Sequence, residues 1–190
     1  MRCFFDLETT GFSKKDKVIE LGYIIYNNNN MLIKKNNIII KPINFVIKNT
    51  RIHGITQTHA FLLGTPLINA LKTFYKDTIN VKCFMAHNMA FDKRMLLQEV
   101  EKLRQKDDTI QKLYQKIKNT QFLCLMLLVQ KMFGQKYKLQ VLYKNLFNKS
   151  AKQEHRALSD ARLVADCYYK LFDQKYDRKE TIKYIRTIIF

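Results

Sequence analysis

Two acids lie close together near the N-terminus, in the segment "FFDLETTG". The aromatic and apolar residues around them are typical of a strand. Successive side chains of a strand point to opposite faces, so Asp6 and Glu8 project from the same side. Two carboxylates that close repel each other unless solvent reaches them or a divalent cation lies between them. The segment therefore predicts either a solvated strand end or one half of a cation site.

Three more candidate side chains lie in two later segments. In "AHNMAFD", Asp92 falls in the first turns of a helix that follows a short strand, and in "EHRALSDA", His155 lies in the loop before another helix. Asp160 lies one turn inside that second helix, because an α-helix has 3.6 residues per turn. Its stripe of the helix is mostly apolar, with Val164 and Cys167 on it, so this acid needs a partner.

Together these side chains predict hydrolysis at phosphorus. Four carboxylates and one imidazole form an oxygen-rich site that suits Mg²⁺ or Mn²⁺ and disfavours zinc. Two such ions about 4 Å apart stabilise both the attacking and the leaving oxygen of an in-line phosphoryl displacement. An imidazole exchanges protons near neutral pH, so His155 can take a proton from the attacking water. Each segment taken alone has a simpler explanation, as a solvated pair, a helix cap or a surface histidine.

Hydrophobic periodicity and turn residues predict the elements that position these groups. We expect strands at 2–8, 17–26, 31–41 and 81–86, with the asparagines at 27–30 suited to a hairpin. Thr65 is expected to cap a helix that has Pro66 in its first turn. Further helices are expected over 91–115 (loosened near 107–108), 139–147, 156–172 and 177–189. The run 122–129 fits a strand or a helix. These elements predict one α/β domain over 1–190, with helices layered on a mixed sheet.

Composition narrows the class of protein further. The chain has 190 residues and a formal net charge of +18, which favours a polyanionic partner, although an anionic membrane surface or a coding bias toward Lys and Asn could also contribute. Its four cysteines are scattered and lack CxxC spacing, so free thiols are expected rather than disulfides or a zinc site. No apolar run is long enough to span a bilayer and no signal peptide is evident, so we expect an intracellular protein.

Three motifs, taken in order, resemble a known family. "FDLETTGF", "HNMAFDKRML" and "HRALSDA" are similar to the three exonuclease motifs of the DnaQ-like 3′-to-5′ exonucleases of the DEDDh class. The segment "RIHGIT" is also similar to one that this family places after its third strand. The histidine at position 155 points to the DEDDh class rather than its sister class, which carries a tyrosine. The resemblance implies a ribonuclease H-like three-layer fold with a mixed five-stranded sheet whose first three strands are antiparallel.

The resemblance also implies roles for individual residues. Asp6, Glu8 and Asp160 would bind the first of two Mg²⁺ or Mn²⁺ ions. Asp6 would also contact the second ion, which Asp92 would hold mainly through water, and His155 would act as general base. Many members of this family carry an acid at the position of Cys124. That position is not a metal ligand in the family, so the difference puts only a local hydrogen bond in doubt.

A second set of residues would hold the terminal nucleotide. By the same resemblance, this set is Thr9, Thr10, Phe12, Asn88 and Phe91. His53, in "HGIT", is open to two interpretations. It would either line the nucleotide cleft or pack near a turn set by Gly54.

The predicted function is a metal-dependent 3′-to-5′ exonuclease that releases nucleoside monophosphates from single-stranded or frayed 3′ ends. DNA proofreading or repair is favoured, and proofreading would need a separate polymerase as partner. RNA 3′-end trimming is an alternative, because nothing in the sequence visibly reads the 2′-hydroxyl. A second alternative, from another class, is a catalytically silent module that binds nucleic acid through its positive charge.

Overall fold

The computed structural model describes residues 1–151 and 155–172, and in this part of the chain five strands and eight helices are assigned. The expected helix over 177–189 lies outside the described residues. The strands are β1 Arg2–Thr9, β2 Val18–Tyr26, β3 Leu32–Ile39, β4 Cys83–Ala86 and β5 Gln121–Cys124. The helices are α1 Thr50–His53, α2 Gln57–Leu63, α3 Leu67–Thr78, α4 Met89–Leu103, α5 Asp108–Asn119, α6 Leu125–Phe133, α7 Leu139–Phe147 and α8 Ala157–Leu171.

The strands form one mixed sheet in the order β3-β2-β1-β4-β5. β1 pairs antiparallel with β2, which pairs antiparallel with β3, whereas β1, β4 and β5 run parallel. The predicted mixed five-stranded sheet with three antiparallel strands at its start is confirmed. Because β1 and β4 are parallel neighbours, their carboxyl ends meet at the same edge of the sheet, which is where such sheets place ligands.

Helices cover both faces of the sheet, which gives three layers. On one face, Phe5 and Phe84 pack with residues of α3, α4 and α5. On the other, Phe4 and Met85 pack with residues of α6, α7 and α8. The alternation of Phe4 and Phe5 between the two cores follows from the two-residue repeat of a strand. It places the side chains that follow Phe4 at even positions of β1 on the α8 face. Among the described helices, none is both long and apolar enough to cross a bilayer.

The structure corrects one predicted helix start. Thr65 does not cap α3. Its backbone instead bridges to Ile40 beside the end of β3, with its amide donating to the Ile39 carbonyl at 2.8 Å. The N-cap position is Pro66, which has no capping side chain. The residue types at 65 and 66 favour the cap. The hydrogen bonds that Thr65 makes with unpaired backbone groups at the edge of the sheet determine its conformation instead.

Two other ambiguous regions are resolved by the structure. The run 122–129 is divided between the end of β5 and the start of α6. The helical pattern over 91–115 forms two helices, and Asp107 caps the second by accepting hydrogen bonds from the amides of Thr109 and Ile110. The short helices α1 and α2 were not predicted.

Gly22 allows α8 to lie directly on the sheet. It is the β2 partner of Asp6, and a Cβ atom built on it would lie 2.1 Å from the Leu158 nitrogen and 2.2 Å from the Ala157 carbonyl carbon. Both atoms belong to the α8 backbone, which cannot move away as a flexible side chain would. No residue larger than glycine fits here without displacing the helix.

We expect Gly22→Ala to destabilise the fold by about 3 kcal/mol or more, at the upper end of overpacking costs. Chemical denaturation of the variant and the parent measures the difference. Gly134→Ala is the matched control. Its backbone is left-handed but nothing lies within 4 Å of the added atom, so only a strain of about 1 kcal/mol is expected. Equal losses in the two variants would contradict the close approach of α8.

Candidate active site

The first part of the site is the end of β1. Asp6 and Glu8 lie on the face of the sheet that α8 covers, whereas Leu7 between them is buried in the opposite core. Both acids are partly exposed, whereas Phe4, which precedes them on the same face of β1, is buried. The sequence-based expectation that the two carboxylates share one side of the strand is therefore met by the geometry.

The second part of the site comes from the start of α8. Asp160 lies in the first turn and is buried, and His155 lies just before the helix with a left-handed backbone, φ 45°. One ligand atom each of Glu8, His155 and Asp160 lies within 4.8 Å of the others. The structure thus brings together three of the predicted site residues, although Glu8 precedes the other two by more than 140 positions.

Asp92 completes the set of acids from α4, which begins just after β4. Its side chain is only 3% exposed. Burial raises the pKa of Asp92 to about 7, although hydrogen bonds from the backbone amides of Leu7 and of Asp92 itself act in the opposite direction.

Mutual repulsion and burial dominate the electrostatics of the site. Burial is the largest cause that raises the pKa of Asp6 well above its usual range, followed by the charges of Asp92, Asp160, Glu8 and Glu20. Burial and the same kind of repulsion raise the pKa of Glu8 to about 8, and only the Arg156 guanidinium opposes this shift. Without a counter-charge the acids hold protons near neutral pH.

The donor set fits divalent cations of the magnesium type. The cluster itself offers carboxylate oxygens from Glu8 and Asp160 and one imidazole nitrogen, and Asp6 and Asp92 add carboxylates whose charges act on the same site. Carboxylate oxygens are the hard ligands that such ions prefer. Zinc would favour cysteine and histidine, and the four free cysteines are all outside this cluster. Bound cations would supply the positive charge that the buried acids lack, and they would stabilise negative charge that develops on a phosphate.

The predicted nucleotide-binding residues lie at the end of β1, in the loop that follows it and at the start of α4. Thr9 Oγ1 donates to the Gly11 carbonyl at 2.7 Å, and Thr10 Oγ1 donates to Asp16 at 2.8 Å. Phe12 is 80% exposed, and its ring lies 5.6 Å from that of Phe91. Asn88 is exposed at the N-cap of α4, four positions before Asp92. These residues therefore border the acids.

Asp16 organises this loop, and sequence analysis did not single it out. Its carboxylate accepts hydrogen bonds from Thr10 Oγ1 and from the amide and hydroxyl of Ser13, and these bonds lower the pKa of Asp16. Arg94 and Gln98 of α4 donate to the carbonyls of Phe12 and Asp16. The loop is therefore braced against the helix that carries Asp92.

Removing the Asp16 carboxylate should loosen the nucleotide loop but leave the acids in place. We expect Asp16→Ala to raise KM for an oligonucleotide about tenfold, since the cost of losing charged hydrogen bonds is about 1.5 kcal/mol, with kcat changed less than threefold. Steady-state kinetics on a single-stranded substrate measures both constants. A fall in kcat with unchanged KM would contradict a role confined to the loop.

His53 has both ring nitrogens engaged within its own loop. It is buried, Nδ1 accepts from the Ile55 amide at 3.1 Å, and Nε2 lies 2.9 Å from the Lys48 carbonyl as donor. Gly54 follows with a left-handed backbone at the end of α1. These contacts favour packing beside the turn over lining the nucleotide cleft. At the departure noted above, Cys124 donates to the His87 carbonyl with an Sγ to O distance of 3.3 Å, so a local hydrogen bond is present there.

The fold and the clustered acids define a ribonuclease H-like enzyme domain of the nuclease class. A family model described as exonuclease, RNase_T, matches residues 3–168, so the chain belongs to this exonuclease family. The predicted enzyme class and the resemblance to DnaQ-like DEDDh exonucleases are confirmed by this match. Divalent metal dependence accompanies the family and agrees with the cluster at the end of β1.

Individual relatives agree with this assignment. The chain is 29% identical over 171 residues to DNA polymerase III subunit epsilon of Rickettsia conorii, which covers 87% of this chain and 71% of the relative. Exonuclease X in complex with 5′ overhanging duplex DNA shares the fold, with a TM-score of 0.68, 18% identity, and coverage of 97% of this chain and 99% of that one. E. coli exonuclease I in complex with a dA16 oligonucleotide gives a TM-score of 0.76 and 15% identity, and covers 98% of this chain but 43% of that one.

Proposed function

We propose that this chain is a metal-dependent 3′-to-5′ exonuclease that removes nucleoside monophosphates from the 3′ ends of DNA. The observation that carries the proposal is the approach of Glu8, His155 and Asp160 to within 4.8 Å of one another at the end of β1. Asp6 and Asp92 are close enough for their charges to interact with those of this cluster. Family membership supports the reaction class, and this cluster supports the choice of residues.

The proposed division of roles follows the position of each side chain. Asp6, Glu8 and Asp160 would hold one divalent ion, and Asp92 would assist a second ion beside Asp6. When bound, the ions supply electrostatic stabilisation of the negative charge that develops on the phosphate. His155, at the open edge of the cluster, takes the proton of the attacking water. The half-exposed position of His155 lets it pass that proton to solvent.

The loop after β1 would hold the terminal nucleotide beside these acids. The exposed ring of Phe12, with Phe91 next to it, offers an apolar surface for a base or sugar. Thr9 and Thr10 would contact the terminal sugar mainly with their backbone groups, since both hydroxyl groups donate hydrogen bonds within the chain. Asn88, exposed at the start of α4, would reach the same nucleotide from the other side. The net charge of +18 favours the phosphate backbone of the strand that follows.

DNA is the favoured substrate, and a separate polymerase is the proposed partner. The support is the similarity to a DNA polymerase III subunit, of which this chain covers 71%. Ribonucleic acid is the competing substrate, because the described contacts of the nucleotide loop contain no group dedicated to a 2′-hydroxyl.

Matched DNA and RNA oligonucleotides labelled at the 5′ end test this proposal. With Mg²⁺ or Mn²⁺ we expect a ladder of products that shortens from the 3′ end, faster on DNA, and no products with a chelator. Frayed or mispaired 3′ ends should be digested faster than paired ones. Faster digestion of RNA would reassign the substrate. Binding in a gel shift without cleavage in either metal would identify a silent nucleic-acid-binding module instead.

A further inference from the structure

A further carboxylate, which is buried, lies next to the proposed metal ligands but bonds in a different way. Glu20 on β2 is the direct cross-strand partner of Glu8, and its side chain is fully buried. Whereas Glu8 faces other acids, Glu20 faces donors. It accepts from Asn37 Nδ2 at 2.8 Å and from the Ala157 amide at 2.9 Å, and it forms a salt bridge with Arg156.

The partners of Glu20 are the first residues of α8. Arg156 Nε lies 2.9 Å from Oε1, and Nη2 donates to the same oxygen. Arg156 is the N-cap residue of α8, yet its side chain makes no capping bond. The Ala157 amide has no partner within the helix, as is usual in a first turn, and it donates to Glu20, which lies on a strand more than 130 positions earlier. Glu20 therefore acts as the cap of α8, in a position where negative charge is favoured by the helix dipole.

His155 depends on this arrangement more than Asp160 does. Its left-handed backbone costs about 1 kcal/mol for a residue other than glycine and persists only where the neighbouring structure holds it. The two residues that follow it are the two that Glu20 holds. Asp160, in contrast, lies inside the helix, whose next turn is anchored by the fully buried side chains of Ala161 and Val164.

We propose that Glu20 is a positioning residue for catalysis, which holds His155 at the metal-ligand cluster by clamping Arg156 and the Ala157 amide. The inference deepens the proposed function and rests on it. Arg156 has a second effect, since its guanidinium offsets the charge of Glu20 and lowers the pKa of Glu8 against the repulsion of the other acids. The pair thus orients the base without adding net negative charge to the site.

Substitution of Glu20 should lower turnover but leave substrate and metal binding nearly unchanged. We expect Glu20→Ala to lower kcat about 10- to 100-fold, the range seen when an outer partner of a metal site is removed, with KM and the Mn²⁺ dissociation constant within about threefold of the parent. Glu20→Gln keeps an acceptor for the Ala157 amide and should lose less, about tenfold. Glu99→Gln is the matched control, because Glu99 is also buried and pairs with Lys102 of its own helix, α4. Its kcat should equal that of the parent.

A double-mutant cycle with His155 separates positioning from general destabilisation. If Glu20 acts through His155, then adding Glu20→Ala to His155→Gln should lower kcat less than twofold further. An undiminished loss in that background, or a parent-like kcat in Glu20→Ala, would overturn the inference. Should Glu20→Ala fail to fold, as thermal melting would show, the same cycle with Glu20→Gln decides. A parent protein without exonuclease activity would refute the proposed function instead, so the two failures are distinguishable.

Discussion

Asp6→Asn is expected to reduce exonuclease turnover by on the order of 10³-fold or more, while the metal-free protein becomes more stable than the parent. Asparagine has the shape of aspartate but lacks the charge that would hold divalent ions at the end of β1. Loss of the electrostatic stabilisation that such ions give to a phosphoryl transition state costs several kcal/mol, and each 1.4 kcal/mol is about tenfold in rate. Initial rates on a single-stranded oligonucleotide measure the first effect.

The gain in stability follows from the direction of the pKa shifts. Asp6, Glu8 and Asp92 all have a raised pKa in the folded chain, with Glu8 at about 8 and Asp92 at about 7. Between the usual carboxyl range and these values, the folded state binds more protons than the unfolded state, so metal-free stability falls as the pH rises. Asp6→Asn removes one charge from that repulsion and should weaken the pH dependence.

Thermal melting without metal, from pH 5 to pH 8, tests this consequence. The melting temperature of the parent should fall across this range, and that of Asp6→Asn should fall less. Added Mg²⁺ should raise the parent's melting temperature more at pH 8 than at pH 5, because fewer protons must be displaced from the acids at the higher pH. Asp108→Asn, which removes an exposed acid at the start of α5, should behave as the parent does. A parent whose stability does not change with pH would contradict the repulsion among these acids.

The predictions from sequence succeeded where a short repeat decides the outcome. The two-residue alternation of β1 was sufficient to place Asp6 and Glu8 together, because Phe4 on the same face must enter the core under α8. The 3.6-residue period of α8 similarly placed Asp160 on the buried stripe with Val164. In both cases the burial of neighbouring apolar side chains determines which way the acid points.

Other features depend on contacts between distant residues, and no local pattern encodes them. Thr65 is a good cap by residue type, but pairing at the sheet edge sets its backbone. Glu20 is the one acid in an otherwise apolar strand. That isolation was the sequence signal that its carboxylate needs a buried partner. Nothing near it in sequence identifies that partner as Arg156. The segments that became α1 and α2 are too short for a hydrophobic repeat to show.

Substitution of His155 distinguishes base catalysis from metal binding within the cluster. His155→Gln should lower kcat at neutral pH by about 10²- to 10⁴-fold, the usual contribution of a positioned general base, because glutamine offers hydrogen bonds but cannot take a proton from water. Mn²⁺ binding, measured by calorimetry, should remain within about threefold of the parent. His59→Gln, which alters a histidine of α2 outside the cluster, serves as control and should retain parent activity.

Asp160→Asn provides the opposite case, since it should lose both turnover and Mn²⁺ affinity. The comparison is informative because ligand atoms of His155 and Asp160 both lie within 4.8 Å of one on Glu8, so proximity alone cannot distinguish a base from a ligand. If His155→Gln also loses Mn²⁺ affinity, His155 is a metal ligand and the base must be sought elsewhere. If it keeps both affinity and rate, the imidazole has no part in the chemistry, and Glu20 would then cap a helix without orienting a base.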